Sequence, residues 1–134
     1  VRVKRVAAAH AIGRVVNPML AESQVYGGMM MGVGYSTTET RVIDENTGLQ
    51  LTTNLEDYKP PTIMDTPEYF VDFVDTVDPE ANSVGGKGLG EPPIIPTAPA
   101  IANAIADAIG VRVRTSPITP DRVLQALAEK GEEA

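Results

Sequence analysis

The chain contains no cysteine. It can form no disulfide, and it can hold neither a thiolate-bound iron–sulfur cluster nor a Cys-based zinc site. Its single histidine, His10, excludes a two-histidine metal site within the chain. Tryptophan is also absent. No apolar run approaches the length of a membrane span. The opening stretch "VRVKRVAAAHAIGR" has too short an apolar part, and the wrong flanks, for a secretory signal. Positive charge is scarce: 11 Lys and Arg stand against 18 Asp and Glu, a net charge of −7. That balance argues against sequence-independent nucleic-acid binding and against an anionic membrane surface. With nothing marking it as secreted, a cytoplasmic location is expected. Any chemistry here rests on carboxylates, backbone groups, or a cofactor shared with another chain.

What is present suits one compact domain. The chain has 134 residues, 43% of them hydrophobic and 22% charged. Twelve glycines and eleven prolines predict long ordered loops between elements. The chain opens on Val1 and not on Met, which leads us to expect a piece of a larger polypeptide.

Alternation over residues 2–9 predicts a strand with one wet face. In "VVNPML", Asn17 is a good N-cap and Pro18 suits the first helical position. The helix predicted from there runs through "LAESQVYGGMMMGVGYSTTE". Its glycines each cost about 1 kcal/mol relative to Ala, so close approach of another backbone or a ligand is expected. "RVIDENTGLQLTTN" reads as a hairpin, with a strand near 41–44 and Gly48 supplying positive φ. Further strands are predicted near 69–75 and 111–114. Tyr69, Val71 and Phe73 should share one face. A second helix is predicted over Ala98–Ile109, capped by Thr97 and closed by Gly110. A third is predicted over Pro120–Glu129, with Thr119 as cap and an apolar stripe of Val123, Leu124 and Leu127. The fold class is α+β, with short mixed or antiparallel strands and three helices.

The segment "GGKGLGEPPIIPTAPAIANAI" is the most unusual. It is no P-loop, because Gly88 follows Lys87, and the prolines keep it from opening a helix directly. Composition leaves two readings. One is a solvated surface loop with an incidental Glu91. In the other, the glycines bring backbone N–H groups against a ligand, and Pro92 and Pro93 aim Glu91. A single immobilised carboxylate is what a general base requires. His10 reads as a strand-end or packing residue, the Met29–Met31 run as core, and Asp44, Asp72, Asp75 and Asp78 as solvated faces and turns.

Taken together, "GRVVNPMLAESQVYGGMMMGVGY", "TGLQLTTNLEDYKPPTIMDTPE" and "GGKGLGEPPIIPTAPAIANAIADAIG" carry a resemblance. The chain resembles the C-terminal portion of the molybdopterin-binding subunit of molybdenum hydroxylases, the xanthine dehydrogenase and aldehyde oxidoreductase family. The likeness runs from about Val6 to about Leu127. The resemblance implies that residues 1–134 form part of a larger molybdopterin-binding domain, and that its molybdenum–molybdopterin is shared with a preceding domain or partner chain. It implies hydroxylation of an electron-poor carbon, in a purine, aldehyde or N-heterocycle, with water as the oxygen source and Glu91 as general base. A carbon monoxide dehydrogenase-like member is also open. Gln24 matches a glutamine that hydrogen-bonds the pterin, and Lys87, Gly88, Leu89 and Gly90 match a loop whose backbone lies against the cofactor. The implied partners are the rest of the molybdopterin-binding subunit and the subunits carrying iron–sulfur clusters and FAD. One departure falls ahead of "GRVVNP", where the family's usual Asp is Ala11. The alternative is a non-catalytic remnant acting as an assembly or interaction module.

Overall fold

The computed structural model describes residues 1–74 and 76–132. In chain order it has strand β1 (Arg5–His10), helix α1 (Pro18–Thr37), a single 3-10 turn (Ile63–Asp65), strand β2 (Glu68–Phe73), helix α2 (Thr97–Ile109) and helix α3 (Pro120–Glu132). The architecture is α+β, as the sequence predicts.

β1 and β2 pair in parallel, with Arg5 opposite Glu68 and His10 opposite Phe73. A parallel pair needs a long crossover, and α1 supplies it. Antiparallel pairing among the described residues is confined to two isolated bridges, Gly13 with Gly86 and Ile43 with Gln50. Tyr69, Val71 and Phe73 share the half-buried face with Val6, Ala8 and His10. Tyr69 stacks on Tyr26 of α1 with ring centroids 5.2 Å apart, which fixes that face against the helix. Phe70 and the exposed alanines Ala7 and Ala9 form the opposite face.

α1 begins as predicted. Asn17 Oδ1 accepts from the Leu20 N–H at 3.1 Å, and Pro18 is the first helical residue. The core lies where α1 meets α2: Val33, Ile101, Ile105 and Ile118 pack together, and Val25 and Met29 are buried along α1. Met29 is therefore core as read, whereas Met31 of the same run is exposed. Gly28 and Gly32 let the Pro93–Thr97 segment approach α1, because a Cβ at either would collide with Pro93 or Thr97.

The boundaries differ from the expectations in several places: β2 runs over Glu68–Phe73 and not 69–75, α3 runs on to Glu132 and not Glu129, and four further differences have identifiable causes. β1 begins at Arg5, because residues 2–4 have no ladder partner beyond the Lys4 carbonyl accepting from Glu68 N–H at 2.9 Å. Residues 41–44 make hairpin hydrogen bonds, Leu51 N–H to the Val42 carbonyl among them, but only one bridge and no strand. Residues 111–114 have no strand beside them and stay irregular, with Arg112 donating to Asn103 Oδ1 at 2.8 Å. Thr97 is the first residue of α2 and not its cap: its hydroxyl donates back to the Pro93 carbonyl at 2.8 Å. Gly110 ends that helix in the left-handed conformation, φ 71°, as predicted. On α3, Val123 packs on the core, but Leu124 is exposed. Asp75, at the end of the strand predicted over 69–75, lies outside the described residues.

Three loop aspartates are held below the usual carboxylate range. For Asp44 the cause is first the Thr47 backbone N–H and then its hydroxyl; for Asp65 it is the same pair of groups on Thr62. For Asp78 it is first the hydrogen bond from Lys87. A depressed carboxylate stabilises the fold above its unfolded pKa of about 3.9 and loses that contribution as pH falls toward the folded value. Thermal stability should therefore hold from neutrality to about pH 5 and fall below about pH 4. Circular dichroism melts across that range check this. Asp65→Asn should be less stable at neutral pH and lose less on acidification.

Candidate functional site

Glu91 sits at the exposed rim of a loop that is tied down on both sides. Before it, the Arg14 N–H donates to the Gly85 carbonyl at 2.8 Å, and the Lys87 N–H to the Ile12 carbonyl at 2.7 Å. These bonds fasten the loop to the corner between β1 and α1. Gly13 at that corner has φ 67°, and a Cβ there would strike the Gly85 carbonyl oxygen. Both backbones need the bare glycine. Ala11, where the family's Asp is missing, is exposed, and the corner is held by these backbone bonds.

After Glu91 the chain turns at once. The Ile94 N–H donates to the Glu91 carbonyl at 3.0 Å. Tyr35 donates its hydroxyl to the Ile94 carbonyl at 3.3 Å, and Pro93 is fully buried against α1. The prolines thus fix the exit from Glu91, as the sequence suggests. Lys87–Pro93 contains no helix.

The structure brings Gln24 to this loop from α1. Its Nε2 donates to the Gly90 carbonyl at 3.1 Å, one residue before Glu91. The amide side chain that the resemblance aims at a pterin thus also grips the backbone beside the acid. Lys87 points elsewhere. Its Nζ is 2.9 Å from Asp78 Oδ2, so its side chain is a tie within the loop. Gly88 and Gly90 are exposed, and among the described residues nothing beyond their chain neighbours lies within 4 Å of where a Cβ would be. Leu89 between them is half-buried. The Glu91 carboxylate has no hydrogen-bond or ion-pair partner among the described residues. Gln24 thus meets the loop at Gly90, between exposed Gly88 and exposed Glu91, while the Lys87 ammonium is engaged by Asp78.

Sequence reasoning missed Asn82. Its carboxamide binds the backbone of residues 84–86. The signal was available: "DPEAN" offers two Asx side chains just ahead of a glycine run. Asp78, read as a turn residue, does accept from the Glu80 N–H, and it is also the Lys87 partner. His10 ends β1 with its Nε2 buried and unpartnered among the described residues. A cavity of about 500 Å³ lies between residues 1–7 and the Ile101–Ile105 side of α2, and none of Gln24, Asn82, Lys87 and Glu91 lines it.

Residues 1–67 match the model of the molybdopterin cofactor-binding domain. The chain belongs to that family. It is 45% identical over 125 residues to a xanthine dehydrogenase molybdenum-binding subunit of Escherichia coli O157:H7, covering 93% of this chain and 16% of the relative. It is 40% identical over 129 residues to the aldehyde oxidoreductase molybdenum-binding subunit PaoC of Escherichia coli K12, covering 96% of this chain and 18% of that one. Among solved structures, quinoline 2-oxidoreductase from Pseudomonas putida 86 superposes with a TM-score of 0.87 at 32% identity, over 96% of this chain and 16% of that one. The chain thus spans about a sixth of the length of the curated relatives it matches. No helix among the described residues is long and apolar enough to cross a membrane.

Proposed function

We propose that residues 1–134 form one wall of the molybdenum-cofactor site of a multi-chain molybdenum hydroxylase, with Glu91 as its general base. The observation that carries this reading is the exposed, unpartnered carboxylate on a loop clamped at both ends, beside two glycines with open faces. The cofactor fits that surface. The bare sides of Gly88 and Gly90 admit a flat group against the backbone, and Gln24 reaches the same edge. Gly88, Leu89 and Gly90 would hold it through their backbone, with Lys87 contributing its backbone alone. When bound, the molybdenum–molybdopterin supplies the two-electron redox chemistry that no side chain here can provide.

The chain's own part is acid–base and positional. Glu91 takes a proton from the water-derived oxygen that adds to an electron-poor carbon of a purine, aldehyde or N-heterocycle. The turn at Ile94 and the buried Pro93 keep its backbone from retreating. Gln24 holds the preceding carbonyl, so the backbone that carries the Glu91 side chain is held on both sides. The remaining walls, and the iron–sulfur and flavin centres that carry electrons away, belong to the rest of the molybdopterin-binding subunit and to partner subunits.

Gln24→Ala in the assembled enzyme tests the cofactor half of this reading. It removes both the grip on Gly90 and the amide that faces the cofactor edge. We expect molybdenum content per protein to fall more than turnover per bound molybdenum, both measured on one preparation. Unchanged molybdenum content would remove Gln24 from the cofactor site.

A further inference from the structure

We propose that Asn82 is a positioning residue for Glu91: one carboxamide sets the direction in which the glycine loop leaves its anchor. The inference rests on the reading of Glu91 as base. Asn82 Oδ1 accepts from the N–H groups of Val84, Gly85 and Gly86, at 3.0, 2.9 and 3.3 Å. Its Nδ2 donates to the Gly86 carbonyl at 2.7 Å. Four backbone groups of three consecutive residues thus converge on one side chain.

The position of those residues gives the clamp its consequence. Gly85 has φ 76°, and its carbonyl accepts from both Arg14 and Asp78. Gly86 is the residue that bridges to Gly13. Past the Lys87 bond to the Ile12 carbonyl, residues 88–90 have one tie among the described residues, Gln24 on the Gly90 carbonyl. Glycine has the widest backbone freedom, so a run with four glycines between residues 85 and 90 holds a direction only if its entry is fixed. The bonds to Ile12 and Arg14 fasten that entry to the β1–α1 corner, and Asn82 sets the shape of the turn that leads into it. The Asp78–Lys87 pair closes the same segment from outside but binds a flexible side chain, not the backbone. A carboxamide offers an acceptor and a donor on one short planar group. An alanine at 82 loses both halves. An aspartate keeps the acceptor for the three N–H groups but sets a second oxygen against the Gly86 carbonyl.

The test compares Asn82→Ala, Asn82→Asp and Glu91→Gln in the assembled enzyme. It reads kcat per molybdenum, KM, and amide hydrogen exchange of residues 84–91. A displaced catalytic group costs up to about 100-fold in rate. Asn82→Ala should lower kcat about 10–100-fold, leave KM and molybdenum content near native, and raise exchange in residues 84–91 alone. Asn82→Asp, which keeps the acceptor for the three N–H groups but loses the donor to Gly86, should fall between Asn82→Ala and the native chain in both rate and protection. Native kcat and native exchange in Asn82→Ala would overturn the proposal. So would a loss that comes with raised exchange throughout the chain, because the residue would then support the fold as a whole. If Glu91→Gln keeps its turnover, the base reading fails by itself, and the exchange arm still decides whether Asn82 holds the loop.

Discussion

Glu91→Gln should lower turnover per molybdenum by at least about 10²–10⁴-fold, the usual worth of a positioned general base. The substitution keeps size and shape, and it removes only the ability to take a proton. No structural consequence is expected, because the carboxylate is exposed and has no partner among the described residues, while the backbone bond from Ile94 to the Glu91 carbonyl is untouched. Molybdenum content should therefore stay near native, and the loss should fall on kcat. Glu91→Asp should also be poor. The buried Pro93 and the turn behind it hold the backbone in place, so a side chain shorter by one methylene cannot follow the proton. Turnover and metal content measured on the same preparations separate the two effects. If Glu91→Gln keeps near-normal turnover per molybdenum, Glu91 is a structural residue of a tight loop, and an assembly module becomes the better reading of the chain.

Two helix ends, the start of α1 and the stop of α2, were legible in the sequence because their causes are local; the caps expected at Thr97 and Thr119 are not made. Asn17–Pro18 starts α1, and Gly110 stops α2, through groups within one turn of the residue concerned. Strands were less legible, because a strand exists only by pairing. "VRVRT" alternates as well as "RVAAAH" does, yet 111–115 meets no neighbouring strand and stays irregular, whereas 5–10 pairs with 68–73. Parallel pairing of β1 with β2 could not be read from either segment alone. At the site, the glycine spacing and the two prolines announced a backbone that must come close to something and a carboxylate that must be aimed. Which way Lys87 turns depends on Asp78, nine positions earlier, and the charge pattern gave no sign of that partner. Asn82 was marked only by its place ahead of a glycine run: its bonds are all to backbone, so no complementary residue type points to it.

Two adjacent glycines of α1 should respond to the same substitution in opposite directions. Gly27→Ala should stabilise the chain by about 0.8–1 kcal/mol, the ordinary helix advantage of alanine over glycine. The site permits this: nothing lies within 4 Å of the added methyl, and Gly27 is exposed. Gly28→Ala has the same helix advantage but meets Pro93. The new Cβ would stand 2.5 Å from Pro93 Cβ and 3.1 Å from the Ile94 nitrogen. Pro93 is fully buried and rigid, so it cannot turn aside; the loop or the helix must shift. Overpacking of this kind costs about 1–3 kcal/mol. Because both variants share the propensity term, the difference between them isolates the contact, and it should be about 1–3 kcal/mol by urea unfolding of the chain. The displaced segment is the one immediately after Glu91, so Gly28→Ala should also lower turnover per molybdenum in the assembled enzyme. Equal stability changes for the two variants would mean that Pro93 does not press on α1, and the account of how Glu91 is held from behind would fail with it.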